Sequence, residues 1–252
     1  MTLTIITTNF NNLQGLQKTF TSVFSQTFTD FEYIVIDGGS ADGSVDLIRD
    51  NQSKISYWQS QKDDGIYQAL NQGVKKARGE YILFLHSGDY LLDPEALNRV
   101  FMTRPDADIV YADAKRLNLN TKQIEIYSQP DQLTKLFFYR YSLCHQSMFF
   151  KRELFQEFGF YREDLKIVSD LDFNLKLFLS QKCTWQHLAT PIVYFDQSGI
   201  SSTNLALLNQ EREQVLREFF STQELKQLQQ QFNFRQSLLG KIFINLGLMG
   251  RY

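Results

Sequence analysis

Four short acidic segments of this 252-residue chain hold residue types that do chemistry, each where a strand would end or a helix begin. Asp37-Gly38-Gly39-Ser40-Ala41-Asp42-Gly43 follows an apolar run and precedes a helical pattern. Glycines there let the backbone turn tightly and approach a ligand. Asp37, at a strand tip, is placed to accept hydrogen bonds from a base or a ribose; a plain Gly-rich turn with Asp42 as helix cap gives the same pattern. Asp63-Asp64-Gly65 stands just before a helix, where Asp64 either complements the dipole or faces a ligand. Asn71, amid Leu and Ala, is either exposed or bonded to a specific partner. His86-Ser87-Gly88-Asp89 ends a strand buried on both faces, which puts Asp89 at the mouth of any site there. Mg²⁺ is held by one or two carboxylates plus substrate phosphates, and a cation there neutralises charge on a leaving diphosphate; a turn cap is the plain alternative. Ser169-Asp170-Leu171-Asp172 opens a helix. Asp170 is either an N-terminal helix charge or an ionised general base, while Asp172 faces elsewhere on the helix. A lone histidine such as His145, before a short strand, is more often structural than catalytic.

These residues need elements that bring them together. Leu3 to Thr8, Phe31 to Ile36, Ile55 to Gln59 and Tyr81 to Leu85 read as strands. Leu13, Leu16, Phe20, Val23 and Phe24 form one helical stripe with Asn12 as cap. Val45 to Asp50 is a short helix, and Ile66, Ala69, Leu70, Val74 and Ala77 make another stripe. Asp93-Pro94 predicts a further helix start, with Asp as cap and Pro in the first turn. Ile109 to Ala112 is a strand. Alternating strands and helices imply an α/β fold whose mostly parallel sheet is flanked by helices. Ligands then bind beyond the carboxyl ends of the strands, where Thr7 to Asn9, Asp37 and His86 to Asp89 converge. The second half adds a small antiparallel part. A hairpin spans Arg116 to Tyr127, turning near 118 to 121; strands follow at Ser147 to Phe150 and Ile192 to Phe195, with a helix from Ser169 to Ser180 between them. From Leu205 the chain is helical, and the Gln-rich stretch from Gln223 to Gln231 reads as a solvated helix face.

Composition narrows the classes. With 43% hydrophobic and 14% aromatic residues the chain can bury a sizeable core. The net charge of −2 shows no basic stripe, which argues against a nucleic-acid partner. Cys144 and Cys183 match no metal or redox spacing and read as reduced thiols. The apolar start is too short for a signal peptide, and no run approaches a membrane span. The expectation is a cytoplasmic protein, or one on the inner face of a membrane.

Six stretches in order carry a resemblance: "TIITTNFNN", "FEYIVIDGGSADGS", "KDDGIYQALNQGVKKARGEYILFLHSGD", "CHQSMFFKRELF", "SDLDFNLKL" and "SGISSTN". Together they resemble family 2 glycosyltransferases with the GT-A fold, and a bacterial exopolysaccharide subgroup that includes the colanic acid transferases. The likeness covers residues 1 to 203 and leaves 204 to 252 as a C-terminal helical extension. It implies an inverting enzyme that moves a sugar from a nucleotide-sugar donor to a saccharide or lipid-linked saccharide hydroxyl. Thr7 and Asn9 would line the nucleotide pocket, Asp37 would contact the base, and Asp64 and Asn71 would help hold the donor. Asp89 falls in the family's DxD region, whose acidic residue binds Mg²⁺ or Mn²⁺ and the diphosphate. Asp170 matches the base, and His145 and Gln146 would lie near the acceptor or the phosphates. The chain departs from the pattern at Ser87-Gly88-Asp89, which keeps one carboxylate, and at Gln197-Ser198-Gly199, where relatives often show a Gly pair.

Three rivals stand beside this reading. A nucleotidyltransferase needs a Gly-rich basic loop after the first strand, and a dinucleotide oxidoreductase needs GxGxxG there; Thr-Thr-Asn stands instead. A degenerate, non-catalytic nucleotide-sugar binder remains as the alternative. The apolar tail from Phe232 to Tyr252, with its interspersed Arg and Lys, suits an anionic membrane surface, packing on the domain, or a homodimer contact.

Overall fold

The computed structural model describes residues 1–118, 121–197, 199–237 and 241. In chain order its first half contains β1 (Leu3–Asn9), α1 (Leu13–Phe24), β2 (Phe31–Asp37), α2 (Ser44–Asp50), β3 (Tyr57–Ser60), α3 (Ile66–Lys76), β4 (Tyr81–Phe84), β5 (Tyr90–Leu91) and α4 (Ala96–Phe101). The second half follows with β6 (Ile109–Leu117), β7 (Ile124–Tyr127), α5 (Lys135–Arg140), β8 (Met148–Lys151), α6 (Glu153–Glu157), α7 (Ser169–Ser180), β9 (Trp185–Tyr194), α8 (Ile200–Thr203), α9 (Leu205–Phe219) and α10 (Thr222–Gln236).

One sheet runs in the order β3-β2-β1-β4-β8-β6-β9-β5, with β7 paired to β6. Strands β1 to β4, β6 and β9 share one direction; β5, β7 and β8 oppose them. The sheet is therefore mostly parallel with an antiparallel part in the second half. Alternation along each strand feeds two cores. Ile5 joins Leu16, Phe20 and Val23 of α1 on one face, and Ile6 joins Leu70 and Val74 of α3 on the other. Helix α3 lies so close to β1 that a Cβ on Gly73 would stand 2.5 Å from Ile6 Cγ2; only glycine fits there. The buried charge in this layer is satisfied. Glu32 accepts from the Thr4 hydroxyl at 2.7 Å and from Arg78 Nε at 2.9 Å.

Several boundaries differ from the sequence reading. Helix α4 starts at Ala96 with Glu95 in the cap position. Asp93 instead accepts the Glu95 N–H and holds Arg99 in an ion pair, so its carboxylate is committed one turn before the helix. Strand β9 begins at Trp185, because it pairs along β6 through a bulge at Asp113 that breaks the simple alternation. The hairpin of β6 and β7 is present in register Leu117↔Ile124; residues 119 and 120 of its turn lie outside the described residues. Elements β5, α5 and α6 are too short to leave a readable period.

The expected boundary at residue 203 falls between α8 and α9. Asn204 caps α9 by accepting the Leu207 N–H, and Ser221 with Glu224 forms a capping box on α10. Val215, Leu216, Phe220 and Leu228 enter the same core as α5 and α7, so these helices pack on the body that holds the site. The part of the apolar tail at 238–240 and 242–252 lies outside the described residues. Among the described residues no helix is long and apolar enough to cross a membrane. Both cysteines are free.

Candidate active site

The carboxyl ends of β1, β2 and β4 open with the first turn of α7 onto one cavity of about 1150 Å³. A pocket for a small molecule holds up to roughly 1,000 Å³, so there is room for a large ligand or for two smaller ones side by side. Asn9, Asp64, Asp89, His145, Gln146 and Asp170 all line it. Thr7, Asp37 and Asn71 do not; they lie behind the wall.

Each of these three is committed to the chain itself. Thr7 donates its hydroxyl to the Leu85 carbonyl at 2.6 Å and accepts from Tyr33. Asn71 clasps the loop before α7: its amide donates to the Tyr161 carbonyl and to Glu163, and its oxygen accepts the Tyr161 N–H. Asp37 is fully buried. Its oxygens accept from the Gly39 and Ser40 N–H groups and from the side chains of Asn9, Ser40 and Ser60. Burial works to raise its pKa, but the bonds from Ser40, Ser60 and Asn9 prevail and hold it below the ordinary carboxylate range. Asp37 thus shapes the loop and leaves Gly38 and Gly39 facing the cavity.

The carboxylate that flanks this loop in the cavity is Asp63, which lines it together with Asp64. A Cβ on Gly38 would meet Asp63 Oδ2 at 3.1 Å and Phe10 Cδ2 at 3.2 Å, so an acceptor and an aromatic ring flank one stretch of bare backbone. Phe10 is 65% exposed, and a ring open at a cavity mouth offers a stacking surface to a nucleobase. Burial raises the Asp63 pKa. Asp64, its exposed neighbour, takes Lys166 Nζ on its backbone carbonyl. In an Asp-Asp pair nothing in the sequence says which member turns inward.

After β4 the chain turns at Gly88, whose φ of +107° suits glycine alone among common residues. This turn aims Asp89 at the cavity floor, where it is 3% exposed. The Asp196 N–H donates to Asp89 Oδ1 at 2.7 Å. Burial, with the charge of Asp196 nearby, pushes the Asp89 carboxyl up to about 7, against the bonds from the Asp196 N–H and Gln146. Asp196 also lines the cavity and was missed in the sequence, because β9 brings it back from 107 residues away. Among the described residues no three His, Cys, Asp or Glu side chains form a metal cage. Two neighbouring carboxylates, one of them buried, do fit a divalent cation that shares its shell with phosphates. Two neutral imidazoles sit close by. Burial takes His86 down to about 4; burial, aided by His86, takes His145 well below its ordinary value. His145 Nε2 lies 3.0 Å from the Tyr161 hydroxyl.

Asp170 stands in the first turn of α7 with its Oδ1 3.2 Å from the Tyr67 hydroxyl, which donates to it. Burial raises its pKa to about 6, opposed by the Leu171 N–H, the Tyr67 hydroxyl and the charge of Arg212. Asp172 points away and pairs with Arg162 and Lys176. The loop that delivers Asp170 is held from the C-terminal helices. Glu211, 5% exposed, accepts the N–H groups of Lys166, Ile167 and Val168 at 2.7, 2.8 and 3.3 Å. Glu211→Ala strands these donors, so stability should fall by about 3 kcal/mol. Urea unfolding checks this; a loss under about 1 kcal/mol would mean that the loop holds itself.

Comparison with known proteins agrees with this geometry. Residues 4–161 match the model of Glycosyl transferase family 2. An uncharacterized glycosyltransferase of Mycobacterium tuberculosis (strain ATCC 25618 / H37Rv) is 33% identical over 207 residues, 80% of this chain and 77% of its own. A PGL/p-HBAD biosynthesis glycosyltransferase of the same strain is 30% identical over 206 residues, 79% and 78% of the two chains. The fold is shared with S. aureus TarS 1-349 in complex with UDP-GlcNAc, at a TM-score of 0.70 and 19% identity over 99% of this chain and 77% of that one. This chain spans 61% of another TarS 1-349 chain. An α/β sheet of this topology, a cavity at its carboxyl edge and a family match over residues 4–161 lead to one conclusion: the chain belongs to glycosyl transferase family 2 and is a glycosyltransferase.

Proposed function

We propose that the chain is an inverting transferase that moves a sugar from a nucleoside-diphosphate sugar to a hydroxyl of a saccharide or lipid-linked saccharide, in bacterial surface polysaccharide or glycolipid synthesis. The observation that carries this reading is the placement of Asp170. A carboxylate with its pKa raised to about 6 faces the same cavity as the Gly38-Gly39 backbone and Asp89. A general base works best with a pKa near the operating pH. The UDP-GlcNAc in the TarS structure supports a sugar nucleotide as donor.

In this reading the nucleoside lies against Gly38 and Gly39, between Phe10 and Asp63. Asp89, with Asp196 beside it, would hold Mg²⁺ or Mn²⁺ together with the donor's diphosphate. Such a cation supplies neutralisation of the charge that develops on the leaving group. The acceptor hydroxyl gives its proton to the Asp170 carboxylate as its oxygen bonds to the anomeric carbon. The bond from that carbon to the diphosphate oxygen breaks, and its electron pair leaves with the nucleoside diphosphate. One displacement inverts the configuration. The single Tyr67 hydroxyl proton is shared between the Ile167 carbonyl at 2.6 Å and the Asp170 carboxylate at 3.2 Å, which helps to hold the carboxylate in line.

Two measurements test the reading. The anomeric proton coupling of the product, followed by NMR from the first turnover, should show the configuration opposite to the donor's; a retained configuration would overturn the single displacement. The pH dependence of kcat/KM follows from the sign of the Asp170 shift. The base works when ionised, so at saturating Mn²⁺, which would keep Asp89 ionised as well, activity is full above about pH 6 and falls about tenfold per unit below it. An acid limb near pH 4 would mean that Asp170 is not the titrating base.

A further inference from the structure

Helix α7 carries Asp170 in its first turn, yet Val168 in its cap position makes no side-chain cap bond. Other elements hold the chain in front of it. Asn71 of α3 grips one end of this loop at Tyr161 and Glu163, and Glu211 of α9 grips the other. Glu211 Oε1 accepts the Lys166 N–H at 2.7 Å, while Oε2 accepts those of Ile167 at 2.8 Å and Val168 at 3.3 Å. Three consecutive backbone donors thus end on one buried carboxylate, 43 to 45 residues further along the chain. A buried N–H without a partner is costly, so the loop cannot leave Glu211 without losing all three bonds.

The next residue of α9 bears on the same corner. Arg212 lines the site cavity, and its Nη2 donates to the Phe138 and Tyr141 carbonyls at 2.7 and 3.1 Å. Burial raises the Asp170 pKa, and the charge of Arg212 works against that rise. Glu211 itself does not line the cavity. Any part it takes in turnover runs through the backbone it holds.

We propose that Glu211 is a positioning residue for the base. It fixes the backbone two residues ahead of Asp170, so that α9, which lies beyond the residues 4–161 matched by the family model, takes part in turnover as well as in stability. The inference rests on the assignment of Asp170 as base. A base must stand within hydrogen-bond reach of the proton it takes, and a misplacement of about 1 Å can cost about 10²-fold in rate. The donor is assigned to Gly38, Gly39 and Asp89, which Glu211 does not touch. Loss of Glu211 should therefore lower kcat and spare donor affinity.

Release of nucleoside diphosphate from a UDP-, GDP- or dTDP-sugar, whichever the parent turns over, gives kcat with water as acceptor. Titration of the same sugar nucleotide gives its Kd. Both are run on the full chain with Mn²⁺, below the melting transition of every variant. Glu211→Ala should lower kcat about 30-fold and leave Kd within about twofold. Glu211→Gln keeps one oxygen able to accept from Ile167 and Val168, and should restore kcat to about fivefold below the parent. In the Asp170→Asn background either substitution should cost less than about twofold, because a residue that acts through Asp170 has nothing left to position. A folded Glu211→Ala with parental kcat, a Kd that weakens in step with kcat, or an undiminished loss in the Asp170→Asn background would each overturn the positioning role. Should Glu211→Ala fail to fold, Glu211→Gln decides by the same criteria. Parental rates for Asp170→Asn alone would overturn the base assignment and this inference with it, and that failure shows in a variant that leaves Glu211 intact.

Discussion

Asp170→Asn is expected to lower kcat by about 10³-fold, within the range for loss of a general base. The substitution is nearly isosteric. The Asn oxygen can still accept from the Tyr67 hydroxyl as Asp170 does at 3.2 Å, so the first turn of α7 should hold its place. Glu211 keeps the loop before it by three backbone bonds that the substitution does not touch. Donor affinity should therefore stay near that of the parent, because the nucleoside and diphosphate are assigned to Gly38, Gly39 and Asp89. Steady-state rates set beside donor titrations check both halves. A variant that keeps rates within a factor of ten would remove Asp170 from the chemistry.

Asp89→Ala carries the second large effect. The side chain is buried beside Asp196 and bonded by its N–H at 2.7 Å. Its removal takes away the carboxylate best placed to share a cation with the donor's phosphates. Turnover should fall by about 10² to 10³, since metal stabilisation of a leaving group supplies several kcal/mol. The more telling readout is donor affinity. The parent should bind its donor more tightly with Mn²⁺ than without, and Asp89→Ala should bind with the same affinity in both conditions. A variant that keeps the metal effect would shift the cation to Asp196 alone or away from this corner. Asp89→Asn separates charge from packing, because an amide oxygen can still accept the Asp196 N–H while the charge is gone.

How far the site could be read from the residues depended on what each neighbouring segment contributes. Asp89 and Asp170 were visible because local signals placed them, one after an apolar run of strand character and the other at a helix start. The strand and helix alternation of the first half was equally plain, since the stripes of α1 and α3 each carry five apolar residues between apolar strand runs. Thr7 and Asp37 stood near the ends of the right strands and Asn71 within the right helix, but their side chains turn into the protein. Asp37 is surrounded by donors from Asn9, Ser40 and Ser60, and two of these come from other strands or the loops beyond them. No local pattern counts such donors. Asp63 and Asp64 are adjacent and alike, and only the packing against Gly38 separates them. Asp196 and Arg212 come from far along the chain. One is delivered by strand pairing through a bulge, the other by a helix whose pattern reads as surface. Long-range register decides both, and register is the information that a single sequence holds most weakly.

The measurement that tests the central claim most directly is a thermal-shift panel of UDP-, GDP- and dTDP-sugars, each with and without Mn²⁺. A ligand that binds the native state raises its melting temperature by mass action. The account predicts a shift with the sugars of one nucleotide, larger with the metal, and lost in its metal-dependent part when Asp89 is Ala. No shift with any of these donors, with or without metal, would contradict a sugar-nucleotide site in this cleft.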